Sequence, residues 1–300
     1  MRLNKLSIRD KEIFEKYLSL DRRELSVYAF LNIYIWKGLF EIRWAVIEDN
    51  LCIFVKDKIG CFLYLPPLGK IKTPEVIRLV FETMDKTNRN KEVSRIENVE
   101  EKDVVFYRNL GYGCQDKYPD YLCKRREQVE LKGNQFKSKR ASFNYFIKHY
   151  KSECLPFSSR YKNDCLKLYY RWMKNRKAQN QNPAYQGMLK DSLTCLQVLL
   201  DEYRNLGATG RIVKVNGEIK AFTFGFKLNS DIFCVLYETT DLSIKGLAQF
   251  IFREFCRELA GYEYINIMDD SGLENLKRVK LSYHPIKLVP AYIVKRSSSF

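Results

Sequence analysis

Between Tyr264 and Pro285 the chain gathers two adjacent carboxylates, Asp269 and Asp270, the cations Lys277, Arg278 and Lys280, the hydroxyls of Ser282 and Tyr283, and His284, one of only two histidines. Carboxylates in such a cluster can hold an ammonium group or accept a proton. A lysine flanked by hydroxyls can bind a phosphate, or the oxyanion that forms when an ester carbonyl is attacked. Asp270, Lys280 and Tyr283 are therefore candidate catalytic residues, with Asp269, Lys277, Ser282 and His284 as candidate substrate or phosphate contacts. Glu238 is the other carboxylate placed for chemistry: it ends the apolar run that starts at Ile232, where it could orient an ammonium or serve as a base. Each has a plainer alternative: a solvated helix with a proline stop, an edge-strand carboxylate paired with a lysine, a histidine that caps a helix end.

The elements that must position these groups follow from periodicity. Tyr264 to Met268 alternates like the end of a buried strand, Asp269 to Gly272 turns, and Leu273 to Leu281 should be a short helix capped by Asp270 or Ser271, with Glu274 and Arg278 paired at i,i+4 and Ser282 to Pro285 as its stop. Upstream, Gly210 to Val215, Asn216-Gly217 and Ile219 to Lys227 spell a hairpin, followed by the strand Ile232 to Glu238. The stretch Ser243-Ile-Lys-Gly-Leu-Ala248 precedes a helix over 247–259; Lys245 and Gly246 are its candidate anion contacts, because backbone amides at a helix start attract phosphates. Lys132 to Tyr150 reads as an amphipathic helix with Phe143, Phe146, Ile147 and Tyr150 on one stripe. Further helices are expected over 163–177 and 191–206, with a polar substrate-contacting loop over 180–187 between them.

Before residue 129, helices over 7–19 and 26–39 precede a hairpin from Trp44 to Val55 that turns at Glu48 to Asn50, a strand over 61–65, a helix over 74–87, a strand over 94–98, a helix over 104–110 and a strand over 121–123. The order, helices, antiparallel strands, helix, strand, helix, strand, is that of a degenerate GNAT acyltransferase. Two such folds in tandem fit 300 residues, with domains expected at 1–128 and 129–300.

The net charge of +16 is local. Residues 124–190 hold 17 Lys and Arg against four acids, a balance of 17 − 4 = +13, interleaved with Tyr145, Tyr150, Tyr161, Tyr169, Tyr170, Trp172 and Tyr185. That mixture suits phosphate contacts with stacking nearby, as in nucleic-acid binding, though a solubilising surface or attraction to anionic lipid headgroups is also compatible. Nine cysteines with no Cys-x-x-Cys pair, and two histidines, argue against a zinc site and for a reducing compartment. No apolar run reaches the roughly 18–20 residues of a membrane span, and the N-terminus does not read as a signal peptide. The expected location is cytoplasmic, with peripheral membrane contact open.

The pattern Asn266, Asp270, Gly272, Leu276, Lys277, Lys280, Leu281, Ser282, Tyr283, Pro285 resembles the C-terminal signature of the phosphatidylglycerol lysyltransferase C-terminal domain family. Leu131-Lys132-Gly133 followed by Phe136, Lys139-Arg140 and Phe146 is similar to the family's central segment, and Val213 to Phe224 with Lys245-Gly246 resembles its second acyltransferase core. The resemblance covers nearly the whole chain. It implies a mixed α/β (α+β) chain of two tandem GNAT-like folds and transfer of an amino acid from aminoacyl-tRNA, with no cofactor, to an anionic lipid or a small amine or hydroxyl acceptor. It also adds Lys132, Lys139 and Arg140 as candidate phosphate contacts. Where the family often shows glutamate, lysine, alanine, this chain has Glu238-Thr239-Thr240. The alternative is an N-acyltransferase using acetyl-CoA or another acyl-CoA, with Ser243 to Ala248 as a partial pyrophosphate loop. A third reading is an RNA- or membrane-surface-binding module without catalysis.

Overall fold

The computed structural model describes residues 2–297. The chain divides into two compact units, 1–120 with 269–271 and 288–300, and 121–268 with 272–287. The boundary thus falls before the expected 128/129, and the C-terminal strand returns to the first unit. A sequence boundary drawn by composition cannot foresee such a return.

In the first unit, strand β1 (Asn4–Lys5) precedes helices α1 (Lys11–Leu18) and α2 (Phe30–Ile35) and the hairpin of β2 (Glu41–Ile47) and β3 (Asn50–Lys56). Its two-residue turn, Glu48-Asp49, has φ of +47° and +55°, so Asn50 already belongs to β3. Positive φ at both turn residues is what a tight right-twisted hairpin demands. Strand β4 (Cys61–Leu63), α3 (Pro74–Thr87), β5 (Ile96–Glu100) and α4 (Glu101–Asn109) follow. Helix α3 starts where the sequence says it should, with Pro74 in its first turn and Thr73 Oγ1 accepting from Val76 N at 3.2 Å. Its apolar face, Val76, Ile77, Val80, Phe81 and Met84, packs on Phe54, Leu63, Ile96 and Val294. Strand β6 (Tyr112–Lys124) is far longer than the expected 121–123, because exposed polar residues fill its first half and hide the strand period.

In the second unit, α5 (Arg125–Glu130) and α6 (Lys137–His149) lead to β7 (Ser152–Pro156), then α7 (Lys162–Gln179), α8 (Pro183–Asp201) and α9 (Tyr203–Leu206). The expected polar loop over 180–187 is mostly helix. Asn182 Oδ1 caps α8 by accepting from Ala184 N at 2.9 Å, Pro183 sits in the first turn, and Tyr185 is buried. Strands β8 (Thr209–Val215), β9 (Glu218–Lys227) and β10 (Ile232–Thr240), helix α10 (Leu247–Glu258), β11 (Tyr264–Asn266) and α11 (Glu274–Leu281) complete this unit, and β12 (Lys287–Arg296) returns to the first. The second unit's strands run in the order β6-β11-β10-β9-β8-β7, with β10 and β11 parallel and the other pairs antiparallel. Helix α10 serves two core clusters: Leu247 and Ile251 meet Phe146, Val213 and Ala221, while Phe252, Phe255 and Cys256 meet Tyr121, Phe233, Ile265 and Tyr283.

Candidate functional site

Two features of β10 create the site. Its pairing with β11 covers only Ile232–Cys234 against Tyr264–Asn266; β11 ends there, whereas β10 continues to Thr240. Beyond Cys234 the strand keeps its β9 partner on one side only. The second feature is a bulge: Val235 pairs with Gly225, Tyr237 with Phe224 and Glu238 with Thr223, so Leu236 is the extra residue. In a regular strand Val235 and Glu238 would point to opposite faces. The inserted residue puts them on the same face, that of α10, while Tyr237 turns the other way and its hydroxyl donates to Ser192 O at 2.8 Å. Gly225 makes the bulge possible: a Cβ there would lie 2.3 Å from Cys234 O.

Glu238 is half-buried on the α10 face, at the point where β10 has lost its β11 neighbour. Burial pushes the Glu238 carboxyl up to about 8, against the opposing pull of Lys139 and Lys280. Lys139, from α6, is shifted the other way, down to about 8, because burial disfavours its ammonium more than Glu238 and Cys123 favour it. Its Nζ stands 3.3 Å from the centroid of the Tyr283 ring, a cation–π contact in a dry setting. Tyr283 is buried and packs against Phe252 at 4.5 Å between ring centroids; burial, and next the Glu238 charge, raise its hydroxyl well above the ordinary tyrosine value.

Of the residues expected from sequence, Glu238, Lys139, Lys280 and Tyr283 come together. Lys280 reaches in from α11, but its Nζ donates to the carbonyls of Ile267 and Met268 (3.2 Å to the latter), so it clamps the turn that follows β11 and acts on Glu238 as a fixed charge. The others are placed elsewhere. Arg140 donates to the carbonyls of Leu131 and Gly133 and holds a loop in which Leu131 has φ of +49°. Lys132 is exposed and pairs with Glu130 at 3.2 Å. Lys245 lies 4.6 Å from the Tyr145 ring centroid. Lys277 and Ser282 are exposed, and Ser282 Oγ donates to Val279 O at 2.6 Å, closing its own helix. His284, with φ of +52°, meets Gln135 O at 3.0 Å and packs edge-on against Phe136. Asp269 accepts from Ser271 N at 2.7 Å, and Asp270 is buried; both belong to the first unit. Neither Asp270 nor Ser271 caps α11, which starts behind Leu273 without a side-chain cap.

One site residue gave no signal in the sequence. Gln128, on α5, is 1% exposed; its Nε2 donates to Tyr283 O at 2.9 Å, yet its Oε1 is buried with no hydrogen-bond partner. With Leu131, Lys139, Gln249, Phe252, Arg253 and Tyr283 it lines a crevice of about 10 Å³, room for one water molecule. A buried acceptor left unpaired costs about 1–3 kcal/mol, which a single water there would remove.

The stretch Ser243–Ala248 does not present an open helix start. Gly246 caps α10 with φ of +85°, and a Cβ there would lie 2.1 Å from Ser142 O and 3.0 Å from Phe146 Cβ, so α6 lies directly against the loop. On the loop's other side the Asp241 carboxylate accepts from Ser243 N and Oγ at 3.1 and 2.6 Å.

Among known proteins, the family described as "Phosphatidylglycerol lysyltransferase, C-terminal" matches residues 20–295. A conserved protein of unknown function from Bacteroides thetaiotaomicron superposes with a TM-score of 0.89 at 27% identity, covering 99% of this chain and 100% of that one. L-PGS from Bacillus licheniformis gives a TM-score of 0.66 at 16% identity over 97% of this chain and 93% of that chain. A tandem GNAT protein from the clavulanic acid biosynthesis pathway gives 0.53 at 8% identity, with 100% and 99% covered. No curated protein matches the sequence. The fold is mixed α/β and tandem GNAT-like, and the family points to an acyltransferase. No helix among the described residues is long and apolar enough to cross a membrane. The chain belongs to the phosphatidylglycerol lysyltransferase C-terminal family.

Proposed function

We propose that the chain is an aminoacyltransferase that takes an amino acid from aminoacyl-tRNA and transfers it to an anionic lipid or to a small amine or hydroxyl acceptor. The observation that carries this reading is the grouping of Glu238 with Lys139, Lys280 and Tyr283, a proton-accepting carboxyl beside a buried ammonium, in a chain of the lysyltransferase C-terminal family. The packing of α6 against Gly246 argues in the same direction, because it brings the Ser142 carbonyl, an acceptor, up to the helix start where a CoA pyrophosphate would need donors.

The transfer needs no cofactor, since the ester of aminoacyl-tRNA is already activated. The acceptor's oxygen or nitrogen attacks the ester carbonyl while its proton passes to Glu238; the carbonyl oxygen becomes an oxyanion; the carbon–oxygen bond to the terminal ribose breaks, and the proton returns from Glu238 to the departing ribose oxygen. A carboxyl held at about 8 suits both halves of that exchange at neutral pH. The Lys139 ammonium is the fixed positive charge for the oxyanion, and its low-dielectric setting strengthens it. Tyr283 sets the position of that ammonium through its ring.

The test is to capture RNA with the purified protein from cell extract at low salt and to sequence it after periodate treatment, which spares charged tRNA. One charged species should be enriched. Recovery of no tRNA, together with a thermal shift on adding acetyl-CoA, would move the assignment to a CoA-dependent acyltransferase.

A further inference from the structure

A second concave feature of the second unit involves none of the residues around Glu238. It is a groove of about 620 Å³ between the start of α7 and the β8–β9 turn, lined by Tyr161, Asp164, Lys167, Tyr170, Arg171, Lys214 and the turn residues Gly217 to Ile219. Along α7 the exposed residues Lys167, Tyr170, Arg171 and Lys174 follow at i, i+3, i+4 and i+7, a single solvent-facing stripe. The groove's two carboxylates are already engaged, Asp164 with Lys167 at 3.5 Å and Glu218 with Lys220 at 3.0 Å. Arg171 and Lys174 have no ion-pair partner among the described residues, and Lys214 Nζ stands 5.1 Å from the Tyr161 ring centroid, beside the Arg160 guanidinium at 4.7 Å. Tyr170 is 46% exposed, a large open ring between two cations of one helix face.

Cations in excess of the two carboxylates, spaced along a concave wall with an exposed aromatic ring among them, match a nucleic-acid strand: phosphates for the cations, a base face for the ring. A lipid surface is flat and would meet the rim of a groove, not its floor. The groove lies on the face of the sheet that α7 and α8 cover, opposite the face that carries Glu238, so a strand bound there reaches Glu238 past the open side of β10, where β11 has ended. We propose that this groove between α7 and the β8–β9 turn is an RNA-backbone site that docks the body of the tRNA while its charged end occupies the site at Glu238. The proposal rests on the aminoacyl-tRNA reading given above.

Binding of unfractionated deacylated tRNA is measured by filter retention across a salt series. Lys167→Glu/Arg171→Glu, both exposed side chains, should weaken binding at least roughly tenfold near 100 mM salt and flatten the log–log salt slope by about 0.7–0.9 for each phosphate that the protein no longer neutralises. Tyr170→Ala should weaken it by roughly fivefold or more while Tyr170→Phe does not, since stacking needs the ring alone. Lys148→Glu, the same kind of charge change on the exposed side of α6, should have a much smaller effect. Wild-type affinity and slope in the double variant would overturn the proposal, as would an equal loss from Lys148→Glu, which would reduce the effect to net charge. So would a loss confined to phosphatidylglycerol vesicles with tRNA binding intact, which would make the face a membrane contact. In each of these cases tRNA still binds and the aminoacyl-tRNA reading stands; if the wild-type protein retains no tRNA at any salt, both fail.

Discussion

At the scale of single residues, the site depends on two groups that burial shifts toward each other. Glu238 and Lys139 both sit near 8, from ordinary values of 4.5 and 10.5. In the transfer reading Glu238 must be ionised to take the acceptor's proton and Lys139 must remain charged to face the oxyanion. The rate should therefore pass through a narrow maximum near pH 8 whose limbs belong to the pair as a whole. Lys139→Arg, whose charge does not titrate, should keep the acid limb and remove the alkaline one. The same shifts set stability. Between pH 4.5 and about 8 the folded protein retains on Glu238 a proton that the unfolded chain has released, so the group's contribution to stability is greatest below 4.5 and declines as the pH rises through that window. Lys139 acts oppositely: its cost is full below about 8 and fades toward 10.5. Denaturation of Glu238→Gln at about pH 5 and pH 8 should show a flatter dependence than wild type, with the variant relatively more stable at the higher pH. Gln128→Leu removes an orphan acceptor along with one hydrogen bond to Tyr283 O, two changes of about 1 kcal/mol each that oppose one another. Through the Tyr283 backbone that it holds, Gln128 positions the ring over which Lys139 sits, so turnover of the aminoacyl donor should fall severalfold while the melting temperature stays close to wild type. A large loss of stability with normal turnover would make Gln128 a packing residue.

At the scale of elements, the bulge in β10 and the closure of the α10 start decide what the site can be. Gly246→Ala forces a side chain into the Ser142 carbonyl at a backbone angle only glycine adopts freely, so unfolding in urea should show a loss of roughly 2 kcal/mol or more. Because the Ser142 carbonyl of α6 stands directly against Gly246 at that helix start, acetyl-CoA at millimolar concentration should leave the melting temperature unchanged; a shift of several degrees would show that the loop takes the pyrophosphate. These elements also mark how far the sequence could be read. The β8–β9 hairpin, α3 and α11 were legible because turn residues, a first-turn proline or helical spacing mark 210–227, 74–87 and 273–281. Glu238 and Tyr283 were legible as chemistry-bearing side chains. The bulge at Leu236 was not, since a strand with one extra residue has the same composition as one without it. Gln128 was invisible for a related reason: being orphaned depends on what surrounds it, and its neighbours in sequence, Glu127 and Val129, say nothing of the Tyr283 backbone 155 positions away. Lys139 and Arg140 show the limit most directly, for adjacent basic residues on one helix have separate tasks, one in the site and one on two loop carbonyls.

At the scale of the whole molecule, charge and cysteine chemistry make the predictions. The excess of +13 over residues 124–190, within a total of +16, makes association with any polyanion strongly salt-dependent. All nine cysteines are free, and seven of them are buried among apolar neighbours, with Cys123 pushed up to about 12 by burial. Reducing agent should therefore leave the melting curve unchanged, and a thiol-dependent shift would point to a pairing absent from this fold. The central claim is that Glu238 moves the proton in transfer of an amino acid from tRNA. The most direct measurement supplies the protein with tRNA charged with labelled amino acids and with a lipid and metabolite extract as acceptor, and follows label leaving tRNA for a new product at about pH 8 in wild type and Glu238→Gln. Transfer should depend on tRNA and fall about 100-fold or more in the variant, with tRNA binding intact. Equal transfer by both proteins would contradict the role given to Glu238.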